Sequence, residues 1–168
     1  PSVLDPRVRG DSLDGLLALY SLSKQSNAAG YRAAWLAGDP ALIKRLGELR
    51  KHMGMMMPTP IQSAMVAALE DYSHVELQRA TYESRRRVLA TAVTEAGYII
   101  EHSVAGLYLW LATQDRQDGW RTVADLASLG ILVAPGAFYG RAGRAYVRMA
   151  LTANDRDVSD AAARLAGL

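Results

Sequence analysis

Three lysines supply the side-chain amines of this chain, and they occupy two kinds of position. Lys24 follows an apolar run at 16–20, whereas Lys44 and Lys51 lie seven residues apart on the polar side of a predicted helix. An amine at the end of a buried strand is partly desolvated, which favours its neutral, nucleophilic form and thus imine formation with an aldehyde. The alternative is a strand-end lysine with its ammonium in water. Position alone leaves both interpretations open.

Arg148 is the second residue whose setting indicates chemistry. In residues 146–151, apolar Val147 and Met149 flank Arg148, so the alternation of a strand turns Arg148 away from the packed face. A guanidinium on an open face binds a carboxylate through two parallel hydrogen bonds. An exposed strand arginine without a ligand has the same pattern, so the alternation by itself does not separate the two.

Other residue types that often carry chemistry predict no site. His52, His74 and His102 share no metal-ligand spacing, and we therefore expect no metal. The arginines at 85–87 share a predicted helix with acidic residues and have no aromatic residues among them. This pattern favours a solvated helix face over a nucleic-acid-binding patch.

The composition limits the class of protein that positions these residues. The chain has 168 residues, of which 50% are apolar, with a formal net charge of +2, which predicts a folded domain with a packed core and no nucleic-acid partner. The absence of cysteine excludes disulfides and a thiolate nucleophile. No apolar run approaches the roughly 18 residues of a membrane span, and the first residues lack a signal-peptide pattern. We expect a cytoplasmic protein without a membrane partner.

Apolar spacing predicts the elements around Lys24. Continuous apolar runs at 16–20 and 31–37 are typical of strands covered on both faces in a parallel sheet. Asp39-Pro40 and Thr59-Pro60 each have the form of a helix cap followed by a first-turn proline. The predicted local order is strand, strand, helix, helix.

A longer helix follows and marks a boundary. Ser73 and Glu76 have the spacing of a capping box, and the helix they open ends at Gly97. Beyond Gly97, short strands, including 131–134, alternate with helices up to a last helix capped by Asn154, which indicates an α+β unit. We therefore assign residues 1–72 to one domain and 73–168 to a second.

The segment around Lys24 carries a specific motif. Residues 21–34, SLSKQSNAAGYRAA, have a small residue three before the lysine, another directly before it, a glycine six after and an arginine eight after. This pattern resembles the signature around the cofactor lysine of class I/II (fold type I) pyridoxal-phosphate aminotransferases. Ala34 stands where the commonest form of the signature has glycine.

The resemblance implies a role for each matching residue. Lys24 would be the catalytic residue that holds pyridoxal 5′-phosphate as an imine. Arg32, Ser21 and Ser23 would bind the cofactor, because the guanidinium of Arg32 and the two serine hydroxyls would face its phosphate. Arg148, which follows a Pro-Gly and Phe-Tyr-Gly loop, resembles the small-domain arginine that binds the substrate α-carboxylate.

The resemblance covers almost the whole chain and implies an α/β fold. It would comprise the edge of the mixed sheet of the large, cofactor-binding domain and a complete α+β small domain. Family members have a longer N-terminal portion that supplies an aspartate for the pyridine nitrogen, and no counterpart precedes Lys24. We therefore expect the C-terminal portion of an aminotransferase, incomplete and inactive on its own, whose full-length form is a homodimer acting on amino acids and 2-oxo acids.

The substrate is suggested by three segments: YSLSKQSNAAGYR, VAPGAFYG and YVRMALTA. They are most similar to actinobacterial N-succinyldiaminopimelate aminotransferases of lysine biosynthesis, with glutamate as amino donor. Alanine-, aspartate- and kynurenine-type aminotransferases remain alternatives, because residues that contact the distal part of the substrate lie largely upstream. An alternative from another class is a non-catalytic domain that serves only folding or dimerisation.

Overall fold

The structure, a computed structural model, describes residues 1–167. Helices and strands are mixed along the chain, as predicted. The chain divides into two compact units, Pro1–Glu76 and a second that begins at Leu77. The assignment of residues 1–72 and 73–168 to the large and small domains of an aminotransferase stays a prediction.

The first unit is built around a two-stranded antiparallel sheet in which Leu17 pairs with Gly38 and Ser21 with Ala34. The predicted parallel, doubly covered sheet is wrong for this chain, since Leu19 is 71% exposed. Within the described residues the two strands pair only with each other, and Leu17, Leu19 and Leu36 are exposed while Trp35 is half-buried. The elements are α1 (Pro6–Arg9), β1 (Leu17–Ser21), α2 (Leu22–Gln25), β2 (Ala34–Gly38), α3 (Pro40–His52) and α4 (Thr59–Glu70).

Of the three helix caps predicted for this part of the chain, only that of Asp39 is observed. Asp39 caps α3 as predicted, because its carboxylate accepts the N–H of Ala41 at 2.8 Å. Thr59 already lies within α4 and does not cap it. The long helix α5 (Ser73–Glu95) begins where predicted, but the Ser73 hydroxyl donates to Asp71 at 2.6 Å instead of capping the helix. The predicted capping box is therefore wrong, because Ser73 is itself the first helical residue and the Glu76 N–H donates to the Tyr72 carbonyl.

The second unit packs helices against one face of a four-stranded antiparallel sheet, with strand order β3-β4-β6-β5. It contains most of α5, which ends just before Gly97 in the left-handed conformation at φ +84°. Asn154 caps the last helix as predicted, accepting the Asp157 N–H at 2.9 Å. The elements after α5 are β3 (Ile99–Ile100), β4 (Tyr108–Ala112), α6 (Gly119–Ser128), β5 (Ala134–Pro135), β6 (Val147–Ala150) and α7 (Asp155–Leu165).

The core of the second unit lies between this sheet and helices α5, α6 and α7. Leu109 and Leu111 of β4 and Val147 and Met149 of β6 all point into it, each at most 4% exposed. The predicted strand at 131–134 is largely absent, because Ile131 and Val133 enter this core from a loop. The opposite sheet face is left half-buried and carries Tyr108, Trp110 and Arg148. It is the face available for a ligand.

No helix in residues 1–167 has the length and apolar content needed to cross a bilayer. No group of three or more His, Cys, Asp or Glu side chains in the same residues is arranged to hold a metal ion.

Candidate active site

Lys24 lies on the connection between the paired strands β1 and β2. Ser21, the last residue of β1, caps α2 by accepting the Ser23 N–H at 3.2 Å, and this places Lys24 in the single turn that follows. Leu22 is 1% exposed and anchors that turn in the first unit. The chain therefore turns at the lysine, because the cap at Ser21 and the buried side chain of Leu22 fix the start of α2.

The two predicted serines are neighbours in space. Their hydroxyl oxygens lie 2.9 Å apart, and the Ser21 hydroxyl is also 3.1 Å from the Ala33 carbonyl. A carbonyl oxygen only accepts, so Ser21 donates to Ala33 and accepts from Ser23. The pair thereby links the end of β1 to the residue that precedes β2.

Arg32 lies on the same connection, two residues before β2. Its backbone is left-handed at φ +53°, and its guanidinium donates to the Ala29 carbonyl at 3.2 Å. Asn27 is also left-handed, at φ +51°. Non-glycine residues adopt this conformation uncommonly, and such residues cluster at functional sites. Arg32 is exposed, with most of its guanidinium donors available for an anion.

The predicted desolvation of Lys24 is wrong for this chain. The side chain is exposed, because β1 has only β2 beside it within residues 1–167. Its amine makes no hydrogen bond or ion pair in the described part of the chain. The reactivity of Lys24 therefore cannot come from the environment that these residues provide.

A histidine that the sequence did not single out contacts the turn that carries Lys24. His74 Nε2 lies 2.9 Å from the Ser26 hydroxyl, and its Nδ1 lies 3.3 Å from Asp71. Hydrogen bonds from the Ser73 hydroxyl and N–H hold the pKa of the Asp71 carboxyl below its usual range. The contact joins residues 48 apart in sequence, so no local spacing indicates it.

Arg148 lies on the open sheet face of the second unit, as its alternation with buried Val147 and Met149 predicted. Its guanidinium carbon is 4.2 Å from the centre of the Tyr108 ring and 5.3 Å from that of Tyr139. Contacts of this kind favour a cation and restrict its orientation. The two rings thus hold the guanidinium at a cavity of about 410 Å³.

The hydrogen-bonding state of Arg148 is consistent with a carboxylate site. Its Nε is buried and has no hydrogen-bond partner in residues 1–167. No carboxylate lies within 4.0 Å of its guanidinium in that part of the chain. A buried donor without a partner is costly, and a bidentate carboxylate would satisfy it.

A glycine contact shapes the loop that carries Tyr139. The N–H of Gly136 donates to the Tyr146 carbonyl at 2.8 Å. A Cβ at Gly136 would collide with the backbone oxygens of Gly143 and Tyr146. Only glycine permits this approach, which closes the loop between β5 and β6 on itself.

An ion-pair network borders the same sheet. Glu101 pairs with Arg116 and accepts the Tyr146 hydroxyl at 2.7 Å. Trp110, opposite Arg148 on β4, stacks on Tyr146 with ring centres 5.2 Å apart. The bond from Arg116 is the main cause that lowers the pKa of Glu101 from 4.5 to about 2.

The donor set of the first unit fits an aldehyde that carries a phosphate. Lys24 offers an unengaged amine, and Arg32 offers a planar cation that suits phosphate. The hydroxyls of Ser21 and Ser23 can donate to a phosphate once they rotate away from their present acceptors, the Ala33 carbonyl and the Ser21 oxygen. All four residues lie on one connection between hydrogen-bonded strands. Arg148 in the second unit adds a site that suits a carboxylate.

Comparison with known proteins agrees with this chemistry. Residues 4–165 match the model of the family described as aminotransferase class I and II. The chain is 60% identical over 164 residues to a 4-dedimethylamino-4-oxo-anhydrotetracycline transaminase of Streptomyces rimosus, covering 98% of this chain and 45% of that protein. It is 50% identical over 165 residues to a probable aminotransferase of Mycobacterium tuberculosis, covering 98% of this chain and 39% of that protein.

More distant relatives give the same family. An LL-diaminopimelate aminotransferase of Nostoc sp. is 33% identical over 168 residues, covering 98% of this chain and 42% of that protein. A crystal structure of an aminotransferase from Neisseria meningitidis superposes with a TM-score of 0.85 at 30% identity, covering 96% of this chain and 42% of that one. The chain therefore belongs to the class I and II aminotransferases, whose members generally use pyridoxal phosphate. It spans less than half the length of these relatives.

Proposed function

We propose that this chain contributes the cofactor lysine and the carboxylate-binding arginine to a pyridoxal-phosphate-dependent aminotransferase. The observation that carries the proposal is the unengaged amine of Lys24, which lies on one connection between β1 and β2 with Ser21, Ser23 and Arg32. Bound pyridoxal phosphate supplies an aldehyde and an electron-accepting ring that stabilises negative charge at the substrate α-carbon.

The residues of the chain have separable tasks in this proposal. Arg32, Ser21 and Ser23 bind the phosphate, and Arg148 binds the α-carboxylate of the amino acid and so orients its α-carbon. Lys24 Nζ accepts the proton released from that carbon and returns it as a general acid. Because Lys24 is exposed here, its desolvation depends on residues outside the described chain. We therefore expect the 168 residues to be inactive alone.

We further propose that the amino acceptor is N-succinyl-2-amino-6-oxopimelate and the donor glutamate, as the motif resemblance suggests. The LL-diaminopimelate aminotransferases among the relatives support an acceptor of this general kind. A second candidate is a polycyclic ketone, which the 60% identity to the 4-dedimethylamino-4-oxo-anhydrotetracycline transaminase favours. Alanine-, aspartate- and kynurenine-type substrates complete the panel to be assayed. Assembly as a cytoplasmic homodimer is part of the same proposal.

Trapping of the cofactor on its lysine tests the assignment. The protein expressed from the longest open reading frame that contains this chain is incubated with pyridoxal phosphate. Borohydride is then added, which reduces the carbon–nitrogen double bond between cofactor and lysine to a stable single bond. Peptide mass spectrometry is expected to find the adduct on Lys24, with the amine of the exposed Lys51 as an internal control. Lys24→Ala should abolish transamination, whereas Lys51→Ala should retain it.

Two results would contradict the proposal. One is turnover that survives in Lys24→Ala, and the other is labelling of Lys51 at the same level as Lys24. A wild-type protein that binds pyridoxal phosphate but transfers no amino group to any acceptor in the panel would favour the non-catalytic alternative.

A further inference from the structure

Three consecutive arginines on α5 have three different environments. Arg85 forms an ion pair with Asp155 at 2.6 Å, and Arg87 is exposed. Arg86 instead donates to three backbone carbonyls, those of Ser103 at 2.6 Å, Gly106 at 2.7 Å and Tyr108 at 3.3 Å. The predicted solvated face is therefore wrong for Arg85 and Arg86 and right only for Arg87.

The carbonyls that Arg86 holds belong to the segment leading into β4. Residues 101–107 form no helix or strand. Besides Arg86, two other groups hold this segment. The Ser103 hydroxyl donates to the Glu101 carbonyl at 3.0 Å and accepts the Trp110 N–H at 2.8 Å, and the Leu107 carbonyl accepts the Leu151 N–H at 2.9 Å. The Arg86 guanidinium ties the segment directly to α5, because its fork spans three carbonyl acceptors at once.

Tyr108 connects this segment to Arg148. Its carbonyl accepts from Arg86, and its ring lies over the Arg148 guanidinium, 4.2 Å from the guanidinium carbon. A change in the backbone of residue 108 moves the ring that Arg148 rests on. Arg148 has an unpartnered Nε and no acidic partner in residues 1–167, so ring contacts fix its orientation, with the Tyr108 ring nearer than the Tyr139 ring at 5.3 Å.

We propose that Arg86 is a positioning residue that sets the orientation of the Arg148 guanidinium through the backbone and ring of Tyr108. Arg86 holds carbonyls and binds no substrate itself. The consequence for catalysis rests on the proposed function, in which Arg148 binds the substrate carboxylate. The structural consequence, the orientation of Arg148, does not depend on that function.

The kinetic test compares Arg86→Lys with Arg87→Lys in the protein from the longest open reading frame containing this chain. A lysine ammonium is compact and does not span three carbonyls in one plane. We expect Arg86→Lys to raise the KM of both the amino acid and the oxo acid about tenfold, with kcat changed less than about twofold, because carboxylate affinity falls while the chemical step is untouched. Arg87→Lys should leave both constants unchanged.

A second pair of variants separates positioning from folding. Tyr108→Phe retains the ring over Arg148 and should raise KM much less than Tyr108→Leu, which removes the ring and should raise KM as Arg86→Lys does. This pair keeps the test valid if Arg86→Lys does not fold. Equal KM values in wild type and Tyr108→Leu would overturn the proposal.

A spectroscopic test is independent of turnover. In the 168-residue chain, the NMR resonance of the Arg148 Nε–H senses the ring current of Tyr108. Arg86→Lys should shift it and Arg87→Lys should not. If the wild-type protein transfers no amino group but Arg86→Lys shifts this resonance, the proposed function fails and the positioning role stands. An unshifted resonance in Arg86→Lys overturns the positioning role, whatever the activity.

Discussion

At the scale of single residues, the predictions for Lys24 and Arg148 rest on different kinds of evidence. The orientation of Arg148 followed from strand alternation, since buried Val147 and Met149 flank it. The importance of Lys24 followed from its motif, while the expected desolvation did not hold within the described chain. Alternation is a local property that one strand determines, whereas desolvation depends on every element packed nearby.

The residues that sequence reasoning missed are those whose partners are remote. His74 contacts Ser26 across 48 positions, and Arg86 contacts carbonyls up to 22 positions away. Arg86 and Arg87 are the same residue type, adjacent on one helix, and nothing local distinguishes them. Their directions differ by about 100° around the helix axis, so that one meets the segment before β4 and the other meets water.

Glu101 gives a prediction for acid stability. Its bond to Arg116 lowers its pKa from 4.5 to about 2 in the folded chain. A lowered folded-state pKa stabilises the fold fully above the ordinary value of 4.5, and this contribution is lost as the pH falls towards 2. We therefore expect Glu101→Gln to lower Tm at neutral pH and to reduce the fall in Tm between those pH values.

Thermal unfolding monitored by circular dichroism at several pH values measures this effect. Glu95→Gln, at an exposed position at the end of α5, is the matched control and should follow the wild-type curve. If Glu101→Gln and the wild type lose the same Tm on acidification, Glu101 does not contribute as described.

At the scale of elements, the positions where helices begin and end were predicted better than the pairing of strands. The cap at Asn154 and the end of α5 before Gly97 were confirmed, because the residues that cap a helix lie beside it in sequence. The parallel sheet at 16–20 and the strand at 131–134 were wrong, because an apolar run does not state which neighbour covers it. Ile131 and Val133 show that a loop can fill a core as a strand does.

The cap of α7 supplies a prediction at this scale. Asn154 accepts the Asp157 N–H at 2.9 Å, and its loss leaves a helix-end donor without a protein partner. Asn154→Ala should lower the free energy of unfolding by about 1 kcal/mol. Asn154→Ser keeps an acceptor oxygen and should lose less than half of that. Urea unfolding of the 168-residue chain measures both, and equal losses in the two variants would contradict the capping role.

At the scale of the whole molecule, the two units differ in how much core each contains. The contiguous cluster of buried residues lies in the second unit, between Leu89 and Leu165. In the first unit, Leu22 and Ala33 are the buried apolar residues of the turn region, and Val75 is at the start of α5. Few buried contacts correspond to low local stability.

Hydrogen exchange tests this difference. We expect the amides of β4 and β6 to exchange about tenfold or more slowly than those of β1 and β2 in the 168-residue chain, because local opening costs less where the core is small. Mass spectrometry of peptic peptides gives the rates. Similar rates for the two pairs of strands would show that the first unit is stabilised by contacts other than an apolar core.

The carbonyl contacts of Arg86 also affect how an anion approaches the molecule. Carbonyl dipoles satisfy the donors of Arg86 without cancelling its charge, and neither Arg86 nor Arg148 has a carboxylate within 4.0 Å in residues 1–167. Two uncompensated positive charges therefore flank Tyr108, although the formal net charge of the whole chain is only +2. Such a local field accelerates the diffusional encounter with an anion, and dissolved salt screens it over about 8 Å at physiological ionic strength. The association rate of a carboxylate with this face should accordingly fall as ionic strength rises, even where its rate of dissociation does not change.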